Sequence, residues 1–377
     1  MGSSETIGHL IAETRKYRLE SENDEGANAY TFRAHHLHLD LPVFLKVIDA
    51  DTSQDLFTEP RLLVEATKVR EGDSNLVRVY DAELLGSDYV LFAMELVPEG
   101  SVLSRLKTGP MPLMDAVTAA IGILHGLAQL HQALLVHRDI KPANVLISNR
   151  HGRVWPKITD FGSVARIAHA SATVTASRHS ALYVPPEGWA SPSKYSTLSD
   201  QYQVGIVLYE MVNGSLPYEG EAYFDRIARQ ELAALKTGMH GAIDEVDRQI
   251  IANQAIARAA CGKGVIEFGN SKSYMPKSLS RIIKRATASD ASRRYNALSE
   301  MIGELEALQF PNWSPSACGN KFTATHWRDW DWEVENCSKK PEQWMVRRSR
   351  VDANSFRRWY ESQCPLDACK KVNELRK

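Results

Sequence analysis

The sequence predicts an α+β protein with a β-rich lobe, an α-rich lobe after it, and a small C-terminal extension. Residues 17–97 contain short runs of β-branched and aromatic residues separated by turn-like pieces. Beyond residue 98 the apolar residues recur with the spacing of helices. At Phe310 the composition changes again, and the 377-residue chain is long enough for one large domain with an appended segment.

The composition excludes strongly charged and disulfide-stabilised classes of protein. Hydrophobic residues make up 44% of the chain, charged residues 24%, and the formal net charge is −1. No overall charge therefore favours binding to nucleic acid or a membrane surface. The five cysteines are odd in number and irregularly spaced, which predicts reduced thiols and a cytoplasmic location. No apolar run is expected to span a membrane.

The β-rich lobe follows an N-terminal segment, residues 1–16, and is predicted from the runs YTFRAHHL, VFLKVI, LVRVYDAEL and DYVLFAMELV. A helix is expected among them, over residues 59–71, because its apolar residues share one face. In VFLKVI, side chains alternate along the strand, so Phe44 and Lys46 lie on the same face. A lysine in so apolar a strand requires an anionic partner. We therefore expect Lys46 to bind an anion.

The α-rich lobe, residues 98–310, is predicted from apolar residues at helical spacing. DAVTAAIGILHGLAQLHQ is amphipathic, and QYQVGIVLYEMVNG is apolar enough for a buried helix that ends near Gly214. Residues 221–275 add amphipathic helices, which we interpret as a helical insert. SLSRIIKRATASD and LSEMIGELEAL are the last helices predicted in this lobe.

Two short motifs supply the residue types that phosphoryl transfer needs. HRDIKPANVLI contains an acid, Asp139, a cation, Lys141, and an amide, Asn144; ITDFGS adds a second acid, Asp160. A carboxylate can accept the proton of an attacking hydroxyl, and a cation can offset charge on the moving phosphoryl group. Carboxylate and amide oxygens are hard ligands suited to Mg²⁺.

These motifs resemble those of the eukaryotic-like (Hanks-type) Ser/Thr protein kinases, in the right order and spacing from Tyr17 to Leu308. The resemblance implies a bilobal protein-kinase fold, with residues 17–97 as N-lobe and hinge and 98–310 as C-lobe. It implies an ATP-dependent transferase that uses Mg²⁺, with Mn²⁺ as an alternative, and a protein substrate. Three further residues match structural positions of the family: Asp200, which would brace the catalytic loop, and Glu187 and Arg294, which would form a buried pair.

The resemblance also assigns roles around the nucleotide. Asp139, Lys141, Lys46 and Glu65 would be catalytic, with Glu65 pairing with Lys46. Asn144 and Asp160 would hold the metal. The residues implied to contact ATP are Gly26, Thr31, Phe44, Lys46, Met94 as gatekeeper, Glu95 and Val97 in the hinge, Ser101 and Leu146.

Lys141 and Ser180 match the family pattern for Ser/Thr substrates. Arg138 precedes the catalytic aspartate, where the family uses an arginine to bind a phosphate on the activation loop. That loop offers Thr173 and Thr175 as T-V-T, which resembles the paired threonines of bacterial members. Autophosphorylation at these threonines is expected from the resemblance; the alternative is that Ser and Thr simply populate a loop.

Two departures leave an alternative open. The loop that covers the phosphates should carry three glycines, but this chain offers Asp24, Gly26 and Ala29 at those positions. Phe44 replaces the alanine that usually forms the roof over adenine. Its ring either stacks on the base or fills the slot. The complete set of catalytic residues favours an enzyme, and a pseudokinase scaffold with Phe44 in the adenine slot is the alternative.

The extension, residues 311–377, holds six of the eight tryptophans and a local excess of Lys and Arg. HWRDWDWEVEN and QWMVRRSR predict a β-hairpin, and DANSFRRWYESQ predicts a helix capped by Asp352. This extension, or the helical insert, could bind a protein partner. The basic residues are interleaved with acidic ones, which argues against a nucleic-acid surface.

Overall fold

The β-rich lobe is an antiparallel sheet of five strands in the order β1-β2-β3-β5-β4. Its strands are β1 (Tyr17–Asn23), β2 (Tyr30–His36), β3 (Leu41–Asp49), β4 (Val79–Leu85) and β5 (Tyr89–Glu95). The computed structural model describes residues 4–23, 29–50, 74–175, 180–218, 220–238, 244–316, 320–337, 340–351, 356–363 and 365–374. The helix predicted over residues 59–71 lies outside these ranges.

The side chains of strand β3 alternate between the two sides of the sheet. Val43, Leu45 and Val47 are fully buried on one side, whereas Phe44 and Lys46 are half-buried on the other. This alternation follows from the two-residue period of a strand. It places the aromatic ring and the ammonium group together, facing the cleft between the lobes, as the sequence predicted.

The face that carries Val43 and Leu45 is covered by a helix that sequence analysis did not predict. Helix α1 (Ser4–Glu13) lies within the segment 1–16 and buries Ile7 and Ile11 completely against this face. The two isoleucines are four residues apart and therefore share one side of the helix. Helix α1 thus belongs to the core of the N-lobe.

The α-rich lobe is built around two helices, α3 and α5. Its helices are α2 (Val102–Leu106), α3 (Leu113–Gln132), α4 (Pro186–Trp189), α5 (Thr197–Asn213), α6 (Arg226–Gly238), α7 (Glu245–Cys261), α8 (Lys277–Ala286) and α9 (Leu298–Glu306). Its short strands are β6 (Leu135–Val136), β7 (Val145–Arg150), β8 (Arg153–Ile158), β9 (Ala165–Arg166), β10 (Val174–Thr175) and β11 (Lys194–Tyr195). Helices α6 and α7 form the helical insert.

Helix α3 is, within the described ranges, the one helix long and apolar enough to cross a membrane by length and composition. Sequence analysis expected no apolar run to span a membrane, and this helix qualifies by length and composition alone. Of the most apolar 18-residue stretch of this helix, 67% is buried inside the protein. Residues such as Leu124 and Leu127 pack in the centre of the lobe, as expected for a core helix.

Two backbone hydrogen bonds and a buried lysine join the lobes behind the cleft. Val77 N donates to Ile158 O at 2.8 Å, and Ile158 N donates to Asn75 O at 2.8 Å. Lys157, which is 4% exposed, donates to Ser74 O at 3.1 Å. The end of β8 is therefore fixed to the loop that enters β4.

The C-terminal extension is an antiparallel sheet backed by a helix. Its elements are β12 (Ser314–Pro315), β13 (Lys321–Trp327), β14 (Trp330–Cys337), β15 (Lys340–Arg350), β16 (Arg357–Ser362) and α10 (Pro365–Asn373). The helix predicted over DANSFRRWYESQ was wrong, because residues 357–362 pair with β15, for example Tyr360 with Val346. Aromatic residues favour such a ladder. The helix begins at Pro365 instead, and Asp352 lies outside the described residues.

The basic residues of the extension are partly compensated by carboxylates. Arg347 contacts Glu333 at 3.0 Å and Glu335 at 3.1 Å. The Arg348 guanidinium lies 4.2 Å from the ring centre of Trp330, a cation–π geometry. The charges that the sequence grouped together are therefore divided between ion pairs and aromatic rings.

Trp313 joins the extension to the α-rich lobe. It is fully buried, its carbonyl oxygen accepts a hydrogen bond from Leu113 N at 2.9 Å, and its Nε1 donates to Asn373 in α10 at 2.9 Å. The Tyr274 ring packs edge-on against Phe322 of β13, with 5.2 Å between ring centres. The apolar side of the sheet therefore continues the core of the C-lobe.

We expect Trp313→Ala to destabilise the whole α-rich lobe. Loss of a fully buried tryptophan costs about 3–5 kcal/mol, because a cavity replaces its packing. The measurement is chemical unfolding of the full chain followed by far-UV circular dichroism. Phe356→Ala is the control, since Phe356 is 44% exposed and should cost little. Equal, small effects of both substitutions would contradict the continuous core.

Candidate active site

The loop between β6 and β7 brings the predicted acid and amide into contact. Asn144 Nδ2 donates to Asp139 O at 2.9 Å and to Asp139 Oδ2 at 3.0 Å. Asp139 is 5% exposed and Asn144 is also 5% exposed. A short 3₁₀ turn, Pro142–Asn144, gives the loop the shape that allows this contact. The Asp139 carboxylate is therefore held in one orientation.

Lys141 connects this acid to the activation segment. Its Nζ lies 2.7 Å from Asp139 Oδ2 and 3.0 Å from Ser180 Oγ. Ser180 is 39 residues away in the chain. An ammonium group, a carboxylate and a hydroxyl thus meet at the surface of the cleft, where a hydroxyl and a phosphoryl group could be brought together.

Asp160 follows β8 and faces the lysine of β3. Lys46 Nζ lies 3.0 Å from Asp160 Oδ1, which supplies an anionic partner for Lys46. Burial opposes ionisation of Asp160, but the nearby ammonium of Lys46 prevails, and the pKa of Asp160 falls below its ordinary value. Asp160 has a φ of +62°, a left-handed conformation that aspartate tolerates better than most residues. Glu65, the predicted partner of Lys46, lies outside the described residues.

The predicted metal ligands are adjacent through the backbone. Thr159 N donates to Asn144 O at 3.0 Å, so Asn144 lies beside the residue that precedes Asp160. One carboxylate and one amide are hard oxygen donors that fit Mg²⁺. Within the ranges described, no three His, Cys, Asp or Glu side chains form a ligand cluster of their own.

The catalytic loop is braced by Asp200 from α5. Its carboxylate accepts hydrogen bonds from His137 N at 2.9 Å and Arg138 N at 2.8 Å, and lies 2.8 Å from His131 Nε2. Asp200 is fully buried. Burial also lowers the pKa of His137, although the nearby carboxylates oppose this. Arg138 donates from Nε to Ser163 O.

Glu187 and Arg294 form a two-pronged ion pair beneath the activation segment. Arg294 Nη1 lies 2.7 Å from Glu187 Oε1, and Nη2 lies 2.8 Å from Oε2. The Arg294 side chain is fully buried. Ser199 donates to Glu187 Oε1 at 2.8 Å. This geometry is the strong, paired form of an arginine–carboxylate contact, and it ties α4 to the loop before α9.

The cleft is lined by an apolar cluster that includes three of the predicted ATP-contacting residues. Phe44 and Leu146 pack against the same buried residues, Met94 among them. Phe44 and Met94 are paired across β3 and β5, and Ser101 bridges to Leu146. Val97, which follows Met94 closely in the sequence, is also buried. The predicted roof, gatekeeper and floor are thus brought together.

Three of the remaining predictions can be located and two cannot. Thr31 is buried and pairs with Lys46 across β2 and β3. Glu95 accepts from Lys157 Nζ at 2.8 Å. Thr173 is exposed just before β10, which pairs with β11. Gly26 and the Thr175 side chain lie outside the described part of the chain.

Sequence analysis missed the Lys157–Glu95 pair and a second buried acid, Glu210. The signal for Lys157 was available, since RVWPKI is another apolar strand with one lysine. Glu210 on α5 accepts from Tyr183 OH at 2.7 Å and from Leu216 N at 2.9 Å. Burial raises the pKa of Glu210 to about 7 despite these hydrogen bonds. It fixes Tyr183 beside the catalytic loop.

The comparisons with known proteins agree with this geometry. The family described as "Protein kinase domain" matches residues 17–303, so the chain belongs to the protein kinase family. Its relatives place it among the Hanks-type bacterial Ser/Thr kinases, as the sequence motifs predicted. The predicted bilobal fold is confirmed by the same match and by the strand-rich and helix-rich lobes.

Three relatives illustrate the extent of the similarity. Serine/threonine-protein kinase PknL of Mycobacterium bovis is 36% identical over 255 residues, which are 66% of this chain and 61% of PknL. Serine/threonine-protein kinase PrkC of Bacillus subtilis is 30% identical, over 74% of this chain and 38% of PrkC. The probable kinase PknB of Lactococcus lactis is 27% identical, over 79% and 42%. The chain therefore spans less than two thirds of each relative.

We expect Glu210→Gln to change how stability depends on pH. Because the pKa of Glu210 is raised from 4.5 to about 7 in the folded protein, the folded state holds a proton that the unfolded state releases. The stability linked to that proton is complete below about pH 4.5 and is lost as the pH rises through about 7. Relative to wild type, the glutamine variant should gain about 3 kcal/mol between pH 5 and pH 8.

The measurement is urea unfolding of both proteins at pH 5, 6, 7 and 8. Glu221→Gln is a matched control, because Glu221 is exposed and lies on the same lobe. A stability difference between Glu210→Gln and wild type that stays constant with pH would contradict the assignment of a raised pKa to Glu210.

Proposed function

We propose that the chain is an ATP-dependent protein kinase that transfers the γ-phosphoryl group to Ser and Thr hydroxyls of proteins. The observation that carries this proposal is the cluster of Asp139, Lys141 and Ser180, where a fixed carboxylate lies next to an ammonium group at the mouth of the cleft. The complete motif set and the kinase relatives support it.

Asp139, Lys141 and Lys46 have separate roles in the proposed reaction. Asp139 accepts the proton of the attacking hydroxyl, since Asn144 holds its carboxylate in place. Lys141 stabilises the phosphoryl group as it moves. Lys46 orients the phosphates, and its Nζ lies 3.0 Å from Asp160 Oδ1.

Asn144 and Asp160 would hold the divalent cation, Mg²⁺ or in its place Mn²⁺. When bound, the cation neutralises charge on the phosphates and orients them. The weakened glycine pattern around Gly26 leaves more of the phosphate binding to these side chains.

Phe44 forms the roof of the adenine slot in this proposal. It shares an apolar cluster with Met94 and Leu146, so a flat base between Phe44 and Leu146 would be enclosed by apolar groups on both faces. An aromatic ring can stack on a base. The backbone of Glu95 and Val97 would supply hydrogen bonds to the edge of the base, and Ser101 would lie near the ribose.

Regulation by autophosphorylation is part of the proposal. Thr173 is exposed, which suits a modification site. A phosphate there, or on Thr175, would be bound by Arg138, which already orders Ser163 of the metal loop. The odd number and irregular spacing of the five cysteines support a reducing, cytoplasmic environment for this domain. The helical insert and the extension remain candidate protein-binding surfaces.

Asp139→Ala should abolish phosphoryl transfer. Removal of a general base lowers the rate by about 10²–10⁴-fold. The measurement is incorporation of radiolabel from γ-labelled ATP, with Mg²⁺, into the chain and into a generic protein substrate. Asp88→Ala, an exposed aspartate in the N-lobe, is the control and should retain activity. An absence of label with all proteins, together with no MgATP-induced rise in melting temperature, would refute the kinase proposal.

Phe44→Ala distinguishes an enzyme from a pseudokinase. If Phe44 stacks on adenine, the loss of about 0.5–1.5 kcal/mol of ring contact is offset by a wider slot, and MgATP affinity stays within about tenfold of wild type. The measurement is calorimetric titration of MgATP, with Phe356→Ala as the control. MgATP binding by Phe44→Ala and none by wild type would support the pseudokinase scaffold instead.

A further inference from the structure

A cavity of about 340 Å³ adjoins the proposed catalytic cluster. We call it the α7 pocket. Among the described residues it is walled by Lys141 of the catalytic loop, by the segment 180–183, and by helix α7 of the insert. Because Lys141 Nζ lies 2.7 Å from Asp139 Oδ2, the pocket opens beside the place where a substrate hydroxyl would react.

Helix α7 presents a row of side chains to this pocket. Gln249, Asn253 and Ile256 line it. Their spacing of four and three residues puts them on one side of the helix. Gln249 Nε2 donates to Asn253 Oδ1 at 3.0 Å. Within the described structure, this bond leaves Gln249 Oε1 as an acceptor and Asn253 Nδ2 as a donor. The pair can therefore form hydrogen bonds with a polar, uncharged group.

Apart from Lys141 and Ser180, the rest of the described lining is apolar or aromatic. It includes Leu103, Ile256 and Tyr183. Lys141 is the only charged residue among the described lining residues, and it is already held by Asp139. A charged side chain that entered the pocket would lose water and find no opposite charge free to compensate it. The pocket therefore suits an uncharged side chain with an apolar stem.

Helix α7 is rigidly placed, which a selective wall requires. Arg258 binds Asp225 through two nitrogens, at 2.7 and 2.9 Å. Gly220 lies so close to α7 that a Cβ on it would be 2.3 Å from the Ala252 Cβ. Only glycine permits this approach. The backbone of helix α7, which carries the amide pair, is thus anchored to the segment 220–225.

We infer that Gln249 and Asn253 are specificity-determining residues that select substrates with an uncharged side chain next to the phosphorylated Ser or Thr. This inference rests on the proposed kinase function and adds the substrate class. It assigns part of the helical insert to substrate selection. The selected residue has the size and polarity of glutamine, methionine or leucine, which fit the apolar walls and the amide pair.

The test is phosphorylation of a positional peptide library by the full chain. The wild type should prefer uncharged residues to Asp, Glu, Lys and Arg at one position flanking the Ser or Thr. Asn253→Asp and Gln249→Glu place a carboxylate in the pocket at nearly constant shape. Each should shift the preference at that position toward Lys or Arg by about threefold, the strength of a partly exposed ion pair.

Gln254→Glu is the matched control, because Gln254 is exposed on the same helix and does not line the pocket. It should leave the preference unchanged. Transfer to the library with no discrimination against charged residues at any flanking position would overturn the inference but not the kinase function. An unchanged preference in both Asn253→Asp and Gln249→Glu would overturn it equally.

A binding measurement separates this inference from the proposed function. The same library is titrated against wild type and Asn253→Asp by fluorescence polarisation, without ATP. If the wild type transfers no phosphate but binds uncharged-flank peptides with the predicted shift in Asn253→Asp, the peptide selectivity of the pocket is supported and the kinase function is refuted. Binding that ignores the flanking charge would refute the selectivity.

Discussion

The buried carboxylate of Asp200 is the constraint on which the active site depends. It has no access to solvent and receives the backbone N–H groups of His137 and Arg138. Arg138 has a φ of +70°, a conformation that costs a non-glycine residue about 1–3 kcal/mol and persists only where surrounding contacts enforce it. Gln203, one turn further along α5, binds Ile140 N at 2.9 Å and Tyr183 O at 3.2 Å. The helix therefore shapes the catalytic loop and the activation segment at once.

Much of this site could be predicted because it is encoded in short stretches. HRDIKPAN carries its acid, cation and amide within eight residues, and the local turn brings Asn144 onto Asp139. The alternation of VFLKVI likewise predicts that Phe44 and Lys46 share a face, which the packing of β3 reproduces. In these cases the period of the backbone and the residue types determine the result, with little influence from distant parts of the chain.

The predictions failed where distant segments decide the structure. Residues 357–362 were predicted to be helical, yet they pair with β15 and form a strand. Helix α1 is short, and Ile7 and Ile11 form a buried face only because the five-stranded sheet packs against them. The contact between Lys141 and Ser180 joins residues that are 39 positions apart, and local sequence patterns do not predict it. Tertiary contacts override local propensity in each case.

The apolar core shared by the C-lobe and the extension determines how the protein unfolds. The match to the kinase family ends at residue 303, but Trp313, Phe322 and Trp332 beyond it are buried in the same apolar cluster as α3 and α5. The C-lobe and the extension therefore form one cooperative unit, and amide protons in β13 and β14 should exchange with solvent as slowly as those of the central helices. The match to the catalytic family and the physical folding unit end at different places in this chain.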